Sequence, residues 1–263
     1  MVFVVYTQLD QVSASAAEAM KEEYSFKESS AIGGMKHFKS EKAEMLELNT
    51  THLYADFLDD YIKNDTIVFL SRHGSIKNIP ALTVHPEGNL GNEAKLGGKP
   101  NELSVSDPIR MARTLCALKK NNKSDVPVTY EATHHGPLLK TSSFYAEIGG
   151  TQEIRESNDF ARLLSKSVID AIDDEMEFDK IAVGIGGLHY SDRFAKLSFE
   201  GKRAFSHIIP RHYVDNTNMF KQAIERSVPK AEIAIIDWKS LTAEQRENSI
   251  KMLGKLGIDY EKI

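Results

Sequence analysis

Thr66-Ile67-Val68-Phe69-Leu70-Ser71-Arg72-His73-Gly74 joins a continuous β-branched and apolar run to a polar turn that sets an imidazole beside a glycine. A run of this kind, closed by turn chemistry, predicts a buried strand. Further strands are expected at residues 2–6, 43–48, 81–85, 126–132, 144–148, 181–185, 204–209 and 231–236. Helical periodicity separates several of them. Asp107-Pro108 offers a cap and a proline at the first helical position of a segment reaching residue 120. Other helices are expected over residues 159–173 and 218–227, and Thr242-Ala243-Glu244-Gln245 is a capping box opening a helix to residue 256. The alternation predicts an α/β fold, with a mostly parallel mixed sheet and helices on both faces.

The 263 residues suit a single compact α/β unit over 1–263, or two closely joined lobes, and no Pro-, Gly- or Ser-rich linker divides them. With 41% apolar and 27% charged residues the composition is that of a globular chain, which excludes wholesale disorder. The longest apolar runs fall far short of the ~20 residues that cross a bilayer, so no membrane partner is expected. Met1-Val2-Phe3-Val4-Val5-Tyr6 lacks a basic lead and reads as a first strand, not a secretory signal, which places the protein in the cytoplasm. The single cysteine, Cys116, excludes an intrachain disulfide and any multi-cysteine metal site, and its helical setting reads as a small buried hydrophobe. A net charge of −5 argues against a broad basic face for nucleic acid and against DNA as a partner, while leaving room for a local RNA contact. Two stretches lack periodicity. Residues 86–106 read as a long functional loop, and residues 25–40, with Gly33-Gly34, Lys27, Lys36, His37 and Lys39, as a mobile basic lip.

Six of the nine histidines fall at a strand end or next to a glycine: His73, His85, His134, His135, His189 and His207. In open α/β sheets ligands bind beyond the carboxyl ends of the strands, so Ser71-Arg72-His73-Gly74, Thr83-Val84-His85-Pro86-Glu87 and Glu131-Ala132-Thr133-His134-His135-Gly136-Pro137 should converge on one pocket. Imidazole with carboxylate, here Glu131, Glu147 or Glu87, is the ligand set of a catalytic zinc. No His-Glu-x-x-His helix fixes a ligand pair. Metal ligation, metal-free acid–base catalysis by one histidine, and satisfied structural histidines therefore stand as three readings of the same residues. Neighbouring side chains on a strand point to opposite faces, so His134 and His135 share a pocket only if the strand has ended, as Gly136-Pro137 indicates. Gly184-Ile185-Gly186-Gly187-Leu188-His189 could turn backbone N–H groups toward an anion, with Arg193 either holding a phosphate or pairing with a surface carboxylate. It is no dinucleotide fingerprint, since His189 replaces the third glycine. Glu147-Ile148-Gly149-Gly150-Thr151 reads as a tight turn into a helix or a pocket wall, and His207, inside an apolar strand, as a buried hydrogen-bonded histidine.

Taken in order, Ser71-Arg72-His73, Leu82-Thr83-Val84-His85-Pro86-Glu87-Gly88-Asn89 and residues 130–137, 147–151, 184–194 and 205–210 resemble the archaeal-type D-aminoacyl-tRNA deacylases. The sequence departs from that pattern at Gly150, Leu188 and Ser206. The resemblance implies a phosphorylase/hydrolase-like α/β fold and a zinc-dependent hydrolase that cleaves the ester between a D-amino acid and the terminal ribose of tRNA. It implies His73, His85, His134, His135 and His189 in the site. The assignment carried forward makes His134, His135, Glu131 and His73 catalytic. It gives His85, His134, His189 and Glu147 to Zn2+, and Arg72, Gly136, Pro137, Gly186, Gly187 and Arg193 to the substrate. The partner is the acceptor end of D-aminoacyl-tRNA, for which Lys36, Lys95 and Lys99 are candidate grips. Rejecting the L-ester needs a rigid wall, for which Gly136-Pro137 and Gly186-Gly187 are candidates. Two other readings are a metal-dependent amidohydrolase or peptidase acting on a small amide, and a non-catalytic tRNA- or nucleotide-binding protein that uses residues 184–187 as an anion nest.

Overall fold

The computed structural model describes residues 1–74 and 78–263. In chain order the elements are β1 (Val2–Thr7), α1 (Gln11–Glu23), β2 (Lys27–Ile32), β3 (Met35–Lys39), β4 (Glu44–Leu48), β5 (Thr66–His73), β6 (Ala81–His85), β7 (Gly88–Asn89), β8 (Glu102–Leu103), α2 (Pro108–Asn121) and β9 (Val128–Tyr130). They continue with β10 (Ser142–Gly149), α3 (Gln152–Arg155), α4 (Asn158–Asp173), β11 (Lys180–Ile185), α5 (Asp192–Phe199), β12 (Arg203–Ile209), α6 (Asn218–Glu225), β13 (Ile233–Ile236), α7 (Ala243–Leu256) and β14 (Asp259–Lys262). No helix among the described residues is long and apolar enough to cross a membrane.

The α/β class stands, but the strands form two main sheets where one was expected. An 8-stranded mixed sheet runs β2-β3-β4-β1-β5-β10-β6-β9, and a 4-stranded sheet, β12-β11-β13-β14, is parallel throughout. In the large sheet β4, β1, β5 and β10 are parallel, whereas β6 runs against β10 and β9 follows β6. The reversal has a cause in chain length. Strand β10 lies between β5 and β6, and the seven residues 74–80 that join β5 to β6 are too few to carry the chain back along the sheet for a parallel β6, a return that takes about a dozen residues or more. Between β6 and β9 the chain has room for α2, and those two strands are parallel.

Capping follows the sequence closely. Asp107 accepts from the Arg110 N–H at the start of α2, and the Thr242/Gln245 box is complete at the start of α7. Helix α2 packs on β6 and β9 of the large sheet and on β12 of the small one. One apolar cluster accordingly holds Val4, Val68, Leu82 and Phe144 together with Ala182, Phe205 and Ile235. The expected basic lip at residues 25–40 is instead the β2–β3 hairpin, an ordered edge of the large sheet. His37 is buried there on Glu44, 2.7 Å away. The long loop over residues 86–106 is pinned by the β7–β8 pair and carries the buried side chains Leu90 and Leu103.

Candidate functional site

Strand register builds the first half of the site. Ser71 of β5 pairs with Glu147 of β10, Glu147 with Thr83 of β6, and Tyr145 with His85. Paired residues share a face, and so do residues two apart on a strand, so His73, Glu147 and His85 all project from one face of the large sheet. Glu147 sits diagonally between the two histidines. Its Oε2 is 3.6 Å from His73 Nδ1 and 3.6 Å from His85 Nε2. Convergence was expected beyond the strand ends; with β6 reversed, it takes place on the face of the sheet.

The chain beyond β9 supplies the second half. Strand β9 ends at Tyr130, and Glu131 then forms a bridge with Tyr190, reinforced by hydrogen bonds from Ala132 N to His189 O and from Ser191 N to Tyr130 O. A loop of the small sheet thus carries His189 and Tyr190 to the edge of the large one. His134 bridges to Glu87, and the Gly88 N–H donates to His135 O at 2.7 Å. His135 has φ of 44°, a left-handed conformation uncommon for a non-glycine residue. The turn lets both adjacent histidines enter the site. Ring centroids of His134 and His135 lie 4.1 and 5.0 Å from that of His85, which itself stacks on Tyr145.

Glu131 is the hub of the cluster. It is wholly buried, with Oε1 3.0 Å from His73 Nδ1 and Oε2 2.8 Å from His189 Nε2 and 3.6 Å from His134 Nε2. Burial pushes its carboxyl up, but His189 and His73 outweigh burial and hold it well below its ordinary value. Burial likewise opposes ionisation of Glu147, and His73 and His85 override it to keep that carboxyl low as well. His73 is the counterpart. Burial pulls it down, yet hydrogen bonds and charge from Glu131 and Glu147 raise it to about 10, so it is an imidazolium at neutral pH. Its Nε2 meets the Tyr190 hydroxyl at 3.0 Å. His135 goes the other way, lowered to about 4 by burial and by the charge of His85.

Three imidazoles share one arrangement. Nδ1 of His85, His134 and His135 faces the backbone carbonyl of Pro86, Ala132 and Gly136, at 3.2, 2.8 and 2.8 Å. An Nδ1–H donated to a carbonyl turns Nε2 inward, and in the neutral ring that atom carries the lone pair, which is how metal-binding histidines are oriented. Ligand atoms of these three residues lie within 4.8 Å of one another, as do those of His73, Glu131 and His189, and those of His85, Glu131 and Glu147. His85 Nε2 is buried without a hydrogen-bond partner. The expected zinc set of His85, His134, His189 and Glu147 is thereby spread over adjoining groups.

A cavity of about 360 Å³ opens beside the cluster, lined by Arg72, His73, His134, His135 and Glu147 together with Asp10, His52, Tyr145, Leu9, Leu53 and Leu96. A larger hollow of about 750 Å³ lies at the other end of β5 and β10, but no histidine lines it, and of its acids Asp65 pairs with Met1, Asp107 caps α2 and Asp59 accepts from the Lys140 and Thr141 N–H groups.

Other expected site residues are placed differently. A Cβ on Gly136 would lie 2.4 Å from Gly98 N and 2.7 Å from Leu53 O, so its bare backbone admits neighbouring chain and not a ligand. The Gly186 and Gly187 N–H groups donate to Ile209 O and to Ser240 Oγ, and Arg193 pairs with Asp237, so the expected anion nest is filled by the protein itself. Pro137 accepts a hydrogen bond from Ser104 through its carbonyl. Glu87 is buried on Ser143 and raised to about 8 by burial. His207 is the buried structural histidine expected, held by Thr133, Ser104 and Arg226. Lys36 and Lys95 are paired with Glu47 and Glu93. Sequence reasoning gave no role to Asp10, His52, Tyr145 or Tyr190. Of these only Asp10 carried a local signal, as an acceptor placed to cap α1.

Residues 60–261 match the family model described as D-aminoacyl-tRNA deacylase. The chain is 32% identical to the D-aminoacyl-tRNA deacylase of Pyrococcus furiosus, with 100% of each covered, and 36% identical to that of Ignicoccus hospitalis, with 98% of each covered. It is 37% identical to the Methanosarcina mazei protein of the same name over 82% of this chain and 75% of that one. The crystal structure of a conserved protein of unknown function superposes with a TM-score of 0.90 at 28% identity, covering 100% of this chain and 95% of that chain.

Proposed function

The chain belongs to the D-aminoacyl-tRNA deacylase family, and from that premise we propose how its own side chains hydrolyse the ester of D-aminoacyl-tRNA. The observation that carries the reading is the juxtaposition of His73, His85, His134, His135 and His189 around two buried carboxylates beside a cavity of about 360 Å³, enough for an aminoacyl group.

Glu131 orients His189 at 2.8 Å, and the His189 ring, with its side chain 42% exposed, is more open to water than His73, His85 or His134. His189 acts as general base, taking a proton from the attacking water while Glu131 steadies the imidazolium that forms. His189 then returns that proton to the departing ribose oxygen, while His73, its Nδ1–H held by Glu131 and Glu147 and its Nε2–H by the Tyr190 hydroxyl, is a fixed positive charge beside the developing oxyanion. Arg72, at the cavity wall, is suited to a phosphate of the acceptor end. A tRNA substrate would be met in the cytoplasm.

The residues also fit zinc. Three inward Nε2 atoms on His85, His134 and His135, one of them buried without a partner, next to two buried carboxylates, form a site whose charge and donors suit a divalent cation. When bound, zinc polarises the ester carbonyl and makes water acidic enough to ionise near neutral pH. The test is deacylation of D-tyrosyl-tRNA by protein as purified, chelator-stripped and zinc-restored, with zinc content measured in parallel. Loss on stripping and recovery with zinc supports the metal site. Full activity in zinc-free protein removes zinc and leaves His189, Glu131 and His73.

A further inference from the structure

Two carboxylates line the cavity beside the cluster, Glu147 and Asp10. Glu147 is taken by His73 and His85. Asp10 is not part of the hydrolytic cluster. It accepts the Ser13 N–H at 3.2 Å as the cap of α1, the Arg72 N–H at 3.0 Å and the Ser71 hydroxyl at 3.4 Å. All three donors are neutral, whereas a carboxylate has room for about four hydrogen bonds. Among the described residues no cationic group forms an ion pair with Asp10; the Arg72 guanidinium acts on it only through space, and burial still pushes the carboxyl above its ordinary value. A buried carboxylate without a cation is unfavourable, and a ligand that brings one relieves the cost.

An aminoacyl ester carries that cation on the carbon next to its carbonyl. We infer that Asp10 receives the α-ammonium group of the substrate, so that the protein acts on esters of unblocked amino acids and discriminates against N-acylated ones. The inference rests on the deacylase reading and names the substrate class within it. It also bears on chirality. With the ester carbonyl held at the cluster and the nitrogen at Asp10, two substituents of the α-carbon are fixed. Exchange of the side chain and the hydrogen then separates D from L, with Leu9, Leu53 and Leu96 as apolar contacts along the cavity.

The experiment compares kcat/KM of zinc-supplemented full-length protein on D-tyrosyl-tRNA, N-acetyl-D-tyrosyl-tRNA and L-tyrosyl-tRNA, for wild type, Asp10→Asn and Asp10→Ser. Both replacements keep a capping acceptor and remove the charge. Loss of one charge-assisted hydrogen bond predicts that wild type favours the free amine by about ten- to hundredfold. The variants should lose that preference by slowing on D-tyrosyl-tRNA alone, and their D/L ratio should fall. Equal wild-type rates on the free and acetylated D-esters overturn the inference and leave the deacylase reading intact, even if neither variant folds. Equal slowing of both D-substrates in the variants reduces Asp10 to a helix cap and also overturns it. Wild type inactive on both D-esters sinks the deacylase reading itself.

Discussion

His73 Nδ1 lies 3.0 Å from Glu131 Oε1, an ion pair inside the protein between a strand of the large sheet and the turn that follows β9. The pair keeps an imidazolium and a carboxylate poised together in a buried setting, where removing one partner leaves the other uncompensated. Glu131→Gln should therefore lower kcat for D-tyrosyl-tRNA by roughly 10²-fold or more and also reduce the melting temperature. Steady-state deacylation and thermal unfolding of the same preparation check both effects.

Tyr190 makes a smaller contribution. Tyr190→Phe removes the hydroxyl 3.0 Å from His73 Nε2 and leaves the ring, so kcat should fall about fivefold, the worth of one hydrogen bond, with KM and melting temperature nearly unchanged. A purely structural Tyr190 would show the reverse pattern, stability lost and kcat kept.

Two glycines that look alike in sequence should respond differently to alanine. At Gly136 a Cβ meets backbone at 2.4, 2.5 and 2.7 Å, so G136A forces apart residues 53, 97 and 98 and disturbs the adjacent His135. A loss of about 3 kcal/mol is expected from such overpacking, with activity reduced alongside. At Gly187 the nearest atom is 3.6 Å away and the cost comes from φ of 79°, about 1 kcal/mol. Denaturant unfolding of the two variants gives the comparison.

Acid should destabilise the fold through a histidine outside the site. His207 is fully buried, and burial, only partly offset by the Arg226 and Ser104 carbonyls, lowers it to about 4. The unfolded chain binds this proton near 6.5 while the folded one refuses it. The stability is therefore whole above about 6.5 and drains away as pH falls from there toward 4, amounting to about 2 kcal/mol at pH 5. His207→Gln should start from a lower stability at pH 7 and show a shallower decline to pH 5, measured by denaturant unfolding at each pH.

Much of this was legible where local chemistry decides the outcome. The Asp107 cap, the Thr242/Gln245 box and the apolar runs of β1, β6 and β11 place their elements within a residue or so, while β5 runs on three residues past its apolar run, to His73. The hairpin over residues 27–39 escaped because β2 is an edge strand with both faces largely exposed, leaving no alternation to read; only Gly33-Gly34 hinted at its turn. The reversal of β6 was written in the short spacing from β5 and needed chain-length reasoning rather than periodicity. Within the site, the histidine blocks announced themselves because each ends an element beside a turn residue. Tyr190 and Asp10 did not, because their contacts with His73 and Arg72 arise only when separate elements meet. Gly186, Gly187 and Arg193 looked chemical for a related reason, since sequence does not show that Ser240 and Asp237 already satisfy them.

The central claim, that the cluster around Glu131 is a D-specific hydrolytic centre, is tested most directly by single-turnover release of amino acid from tRNA charged with D-tyrosine or with L-tyrosine, using zinc-supplemented wild type and Glu131→Gln. Rapid loss of the D-ester alone, nearly abolished in the variant, is the predicted result. Absence of D-specific loss in wild type, or a variant as fast as wild type, would contradict it.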